Sequence, residues 1–274
     1  MRMNIARLYL CAFAWLQTNT SSKTRPDFAV FMIIALSAFG PTLRAGETIT
    51  QAEPSEVLTW IRSAEKSGRL EVDFYPPEKR PTQYAGWTDF ELTLEYKYEQ
   101  QMKWKFTREK TVNVTIYPTF TTIKPLMSHT VKLPDSLNAA TWYESELGRH
   151  ELDHITIGSH PRLILLATHL VKSIVTVKAQ ADRITDVNQK WAQEEITKEV
   201  NRRSQAIQSL VADNNHRLDD LTRHGARDLD DRARFFDRLF LKENLDESKF
   251  VYLGDVLKLI DSPEYRNATI QFPH

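Results

Sequence analysis

The chain has 274 residues, 36 basic and 36 acidic, with 41% hydrophobic and 26% charged side chains. That composition is too apolar for a disordered chain and too polar for a multispanning membrane protein, and the length suits one substantial domain or two small ones. The first 45 residues carry Arg2, Arg7, Lys23, Arg25 and Arg44 against Asp27 alone, so the remainder holds 31 basic and 35 acidic groups, no electrostatic footprint for nucleic acid.

The N-terminus reads as a targeting segment. Lys23 and Arg25 precede a continuous apolar run over residues 28–39 (FAVFMIIALSAF), followed by the breaker pair Gly40-Pro41 and by Leu43-Arg44-Ala45. A basic stretch, a short apolar run and a small residue form a secretory pattern, with cleavage expected near Ala45. Such a run is too short to span ~30 Å of hydrocarbon as a helix. A further apolar stretch at 8–16 makes the leader unusually long. Residues 1–45 are thus expected to be a leader that meets the membrane only during export, and the mature protein to be secreted or periplasmic. The single cysteine, Cys11, lies in this leader, which removes disulfides, cysteine catalysis and cysteine-type zinc sites from the rest.

Pro54-Ser55-Glu56 opens a helical pattern around Val57, Leu58, Trp60 and Ile61. From about 70 to 135 the texture is β. Phe90, Leu92, Leu94, Tyr96 and Tyr98 alternate with Glu91, Thr93, Glu95 and Lys97, and Val112, Val114 and Ile116 repeat that period of two. Prolines 76, 77, 81, 118, 125 and 134 are expected to keep the strands short or at edges. From Ser136 onward apolar residues recur at helical spacing, through Trp142, Leu147 and Ile155, then Leu163, Leu166, Leu170, Ile174 and Val177. A charged helix follows over about 180–222, with Trp191, Ile196, Val200, Ile207 and Leu210 on its stripe, and residues 226–274 read as a mixed-charge helix with a short tail. The expected class is α+β, a small, mostly antiparallel sheet followed by long packed helices.

Within the first of those helices stands His150-Glu151-Leu152-Asp153-His154. Helical spacing sets the two imidazoles one turn apart on one face, able to reach one metal, with the glutamate beside them as base for a metal-activated water. A catalytic zinc site takes three protein ligands, and several residues compete for the third position. His160 has the ten-residue offset of metzincins, but the glycine falls at Gly158 where position 157 would need it, and no methionine follows Met127. Glu194 and Glu195 are thermolysin-like candidates without a distinguishing pattern. His169 reads as a packing histidine. His224 ends the long helix and precedes a natural C-cap, Gly225.

Three features together are similar to a bacterial family of secreted zinc-dependent proteases, formerly a domain of unknown function. They are Gly86-Trp87-Thr88 before the alternating strand, Gly148-Arg149 with the His150–His154 motif, and Asp219-x-x-Thr222-x-His224-Gly225. The resemblance covers about residues 80–225. It implies a zincin-like peptidase domain over 46–225 with a helical extension over 226–274, zinc on His150, His154 and His224, and a peptide or protein substrate. Leu218 stands where the family usually has tyrosine, and the family's cysteines are missing. On this reading Glu151 is the general base, Asp219 and Asp220 are candidates to orient His224, Asp153 is expected to be exposed, and Tyr143 or a histidine is expected to stabilise the oxyanion. The alternatives are a zinc-dependent cell-wall amidase using the same site and a non-catalytic envelope-binding domain.

Overall fold

The computed structural model describes residues 54–80 and 84–270. Cys11, the apolar run at 28–39 and Ala45 lie outside the described residues. Among the described residues no helix is long and apolar enough to cross a membrane.

Helix α1 (Pro54–Lys66) runs into β1 (Leu70–Tyr75), and two long strands follow, β2 (Trp87–Phe106) and β3 (Val112–Pro134). They pair antiparallel along their whole length, Trp87 opposite Lys132 and Phe106 opposite Val112, with one bulge at Lys97/Tyr98. The other edge of β3 is shared. β1 pairs parallel with its last six residues, and β4 (Val177–Ala181) pairs antiparallel with its first five. The α+β class holds, and the sheet is a small mixed one of four strands.

The proline expectation fails for an instructive reason. Pro118 and Pro125 lie inside β3, the central strand, over a stretch (117–128) where β2 is its only strand partner among the described residues. A missing N–H can face the unpaired edge there without removing a ladder bond. The alternation itself is correct. Leu92, Val112, Val114, Ile116, Val131 and Leu133 are buried on one face, which the helices cover.

Helix α2 (Glu146–Gly158) begins at Ser145, whose hydroxyl accepts from the Gly148 amide at 2.9 Å and so caps the first turn. Helix α3 (Pro161–Lys172) follows almost at once, and α4 (Gln189–Thr222) crosses both. Two boundaries differ from expectation. Val177 opens β4 instead of prolonging α3, and α4 starts at Gln189, because a β-branched pair, Val175-Thr176, and the β4 ladder interrupt the helical period.

Residues 226–270 form four short helices, α5 (Arg232–Asp237), α6 (Lys242–Glu247), α7 (Leu253–Ile260) and α8 (Pro263–Arg266), not one mixed-charge helix. Their Leu229, Phe236, Phe240, Leu245, Val256 and Tyr265 share a core with Leu163, Leu166 and Leu170 of α3 and Ile207, Leu210 and Leu218 of α4. Buried Arg162 gathers this segment, donating to the carbonyls of Tyr265, Asp237, Leu239 and Arg266 around the ends of α5 and α8.

Candidate metal centre

Helices α2 and α4 meet along two polar stripes in otherwise apolar surfaces. On α2 the stripe is His150, Glu151 and His154; on α4 it is Asn215, Asp219 and Thr222, at i, i+4 and i+7. His150, Glu151 and His154 are all buried. Nε2 of His150 lies 3.1 Å from Nε2 of His154, and Asp219 Oδ1 lies 3.1 Å from the first and 3.2 Å from the second. Three donor atoms from three side chains thus converge on one point. A tetrahedral zinc with bonds of ~2.0–2.1 Å would hold its ligand atoms about 3.3 Å apart, close to this spacing.

The other ring nitrogens show what the three atoms offer. Nδ1 of His154 faces Asn215 Oδ1 at 3.1 Å and donates to it. The Thr222 hydroxyl gives its own proton to the Leu218 carbonyl at 2.8 Å, so it accepts from Nδ1 of His150 at 3.4 Å. With both Nδ1 atoms protonated, each neutral ring turns a bare Nε2 lone pair toward the other and toward a carboxylate oxygen. Three lone pairs at such distances repel unless a positive charge lies among them. Asp219 and Glu151 reinforce that preference: burial alone would lower the His154 pKa, but the hydrogen bond with Asp219 and the charges of both carboxylates raise it above the usual histidine value. For Asp219 the sign is opposite. Burial works against its charge, and the two imidazoles outweigh burial and hold it well below the usual carboxylate range. His150, His154 and Asp219 therefore fit a metal cation by spacing, protonation and charge.

Glu151 sits beside this group and outside it. Its Oε2 accepts from the Thr88 hydroxyl at 2.7 Å, and the Gly86 backbone closes over Oε1 so tightly that a Cβ there would lie 2.7 Å from it. Burial raises its pKa, against the lowering effects of His154, Thr88 and His150. The start of β2 thus fixes the rotamer of the residue that the motif suggests as base.

His224 is brought to the site but not into the three-atom group. Its Nδ1 lies 3.5 Å from Asp219 Oδ1, its side chain is 44% exposed, and its ring stacks on Tyr84 with centroids 4.2 Å apart. The chain leaves α4 through three consecutive left-handed residues, Arg223 (φ 52°), His224 (φ 55°) and Gly225 (φ 76°). Only glycine fits the last of these. A Cβ on Gly225 would come within 2.9–3.0 Å of the His150 ring.

The other candidates fall away on position. His160 caps α3, accepting from the Arg162 amide at 3.1 Å, and its buried ring packs edge-on against Phe240. His169 lies 3.0 Å from the Asp255 carbonyl, in keeping with a packing histidine. Glu194 and Glu195 stand in the first turns of α4, and Glu195, which pairs with Lys198, is separated from Asp219 by roughly 36 Å of helix. Tyr143 is buried with Trp142 in the core under α1 and β1. Asp220 is exposed. Asp153 is not exposed, as expected, but 1% accessible and bonded to Arg232 of α5 at 2.6 Å; burial pushes its carboxyl up to about 7 against the pull of Arg232. The sequence reading missed Asn215, the hold of Thr88 on Glu151, and the direct convergence of Asp219 on both imidazoles. The i, i+4, i+7 spacing of Asn215, Asp219 and Thr222 was the available signal.

Comparison with known proteins finds no matching family model, no matching curated protein and no matching solved structure.

Proposed function

We propose that the protein is a zinc-dependent hydrolase of zincin type whose metal is held by His150, His154 and Asp219, and that it cleaves peptide bonds. The observation that carries this reading is the meeting of three possible ligand atoms within 3.2 Å of one another beside a buried carboxylate that is not one of them. A purely structural metal site is normally closed by four protein ligands, whereas three leave one position for water or substrate.

Bound zinc would supply Lewis acidity, polarising a carbonyl and lowering the pKa of water to ~7. The residues around it do the rest. Glu151, made more basic by burial, takes the proton of the attacking water at its carboxylate and returns it to the leaving amine. Thr88 holds the carboxylate in place during both transfers. Asn215 and Thr222 keep the two imidazoles in the tautomer that binds metal. His224, half-exposed on Tyr84 at the rim, would donate a hydrogen bond to the oxyanion. A polar cavity of about 200 Å³, lined in part by Arg149, Arg227, Asp228 and Arg232, adjoins His150 and suits a polar group of the substrate.

The resemblance to secreted zinc proteases supports the peptidase reading, and export would place its substrates outside the cytoplasm. The test is metal analysis of protein purified without a polyhistidine tag, together with digestion of an unfolded protein and of peptidoglycan. One zinc per chain and cleavage of the protein alone are expected. Cleavage of peptidoglycan alone would favour the amidase, and the absence of zinc would favour the binding domain.

A further inference from the structure

The far end of the β2–β3 hairpin lies apart from the His-His-Asp group, separated from it by roughly 60 Å of strand at ~3.3 Å per residue. Trp104 and Phe106, the last inward-facing residues of β2, are 52% and 59% exposed. Their rings pack edge to face with centroids 5.5 Å apart. They pair with Val114 and Val112, which are buried in a core shared with β4 and α4, but at this end of β2 the two rings themselves are left uncovered.

The opposite face of the same end carries cations. Lys103 lies opposite Thr115, which lies opposite Lys178, so one cross-strand row holds two lysines, and Lys105 follows on β2. All three lysines are exposed, and Lys103 reaches over the ring of Tyr117, 5.5 Å from its centroid. The turn adds Arg108 and Lys110 against Glu109, and Asp182 follows β4.

We propose that this hairpin end is a docking surface for an anionic lipid bilayer, entered end-on. Aromatic side chains of this kind favour the headgroup boundary, and lysines and arginines near it gain from the surface potential of anionic lipids. The division of the two groups between opposite faces selects a bilayer over a nucleic acid strand. A strand laid on one face would meet the lysines or the rings, whereas a bilayer that receives the tip surrounds both.

Sedimentation of the full chain with vesicles of phosphatidylcholine, alone or mixed with phosphatidylglycerol, tests this. Residues 1–53 are common to all the proteins compared, so differences among them read the hairpin. The parent is expected to bind the mixed vesicles at least ~10-fold more tightly than the neutral ones. Lys103→Glu with Lys105→Glu and Lys178→Glu should abolish that preference, and Trp104→Ser with Phe106→Ser should weaken binding to the mixed vesicles at least ~10-fold. These side chains are exposed, and unchanged circular dichroism verifies the fold. Lys103→Gln with Lys105→Gln gives a milder second variant with an intermediate loss. Equal binding to both vesicles, variants that bind like the parent, or tighter binding to single-stranded RNA than to the anionic vesicles would each overturn the proposal.

Discussion

The two ends of α2 each bury a pair of histidines, with opposite consequences. In its first half His150 and His154 share their surroundings with Asp219 and Glu151, and the balance of charge favours a cation. Near its end His129 lies against Gly158 and Phe90, and His160 lies against Phe240, and among the described residues no carboxylate is bonded to either. Burial there lowers His129 to about 4 and His160 to about 3. All four are nearly inaccessible, so burial does not distinguish a ligand from a packing group. What distinguishes them is whether the neighbouring helix presents an acid. α4 does so at Asp219, and α5–α8 present apolar rings and backbone to His160.

Glu151→Gln should break the first region's function most severely. The amide cannot take a proton, so turnover is expected to fall by about 10²–10⁴ while zinc stays bound, checked by hydrolysis rates beside metal analysis. Wild-type rates in this variant would remove Glu151 as the base. Asp219→Ala should follow, with zinc affinity lower by more than ~100-fold in a competition titration against a chromophoric chelator, because a ligand and its charge are lost. His224→Ala should lose far less zinc while slowing turnover. The reverse ranking would return the third position to His224.

The second region predicts acid sensitivity of the fold. The unfolded chain binds protons at His129 and His160 near pH 6.5, and the native chain does so only near 4 and 3. Their contribution is fully present above the unfolded pKa and is lost as pH falls toward the folded values. On their own these two rings would remove about 4 kcal/mol of stability between pH 7 and pH 5, and Asp153, whose buried carboxyl is pushed up to about 7 and takes a proton over the same range, gives back about 2 kcal/mol. His160→Asn, which keeps a capping acceptor, should remove about half of the histidine contribution, so urea unfolding should show it losing about 2 kcal/mol less stability than the parent between pH 7 and pH 5. Equal pH dependence in the parent and in His160→Asn would mean that the His160 ring opens to water.

Smaller effects sharpen the contrast. Thr222→Val frees Nδ1 of His150 and should weaken zinc binding by about 10–100-fold without a loss of fold. Gly158→Ala and Gly225→Ala each push a methyl group against a buried histidine, His129 in one case and His150 in the other. Both should cost about 1–3 kcal/mol in unfolding experiments, and only Gly225→Ala should also weaken zinc binding.

Amino-acid order alone determined the period of two over 90–98 and 112–116, the helical period through 146–172, and the one-turn spacing of His150 and His154, because each depends on neighbours within a few residues. It also made position 225 a glycine where a helix must end. Other features required the tertiary structure. That Pro118 and Pro125 fit inside a central strand depends on where β1 and β4 stop along β3, and the ladder is not local in sequence. That Asp153 is buried depends on Arg232, 79 residues later. The place of Asp219 beside both imidazoles depends on how α4 crosses α2, and that crossing is set by the core packing of Ile207, Leu210 and Leu218 rather than by any residue of the site. The third member of this His-His-Asp group comes from a different helix, and the rotation of one helix about another is fixed only when their apolar faces pack.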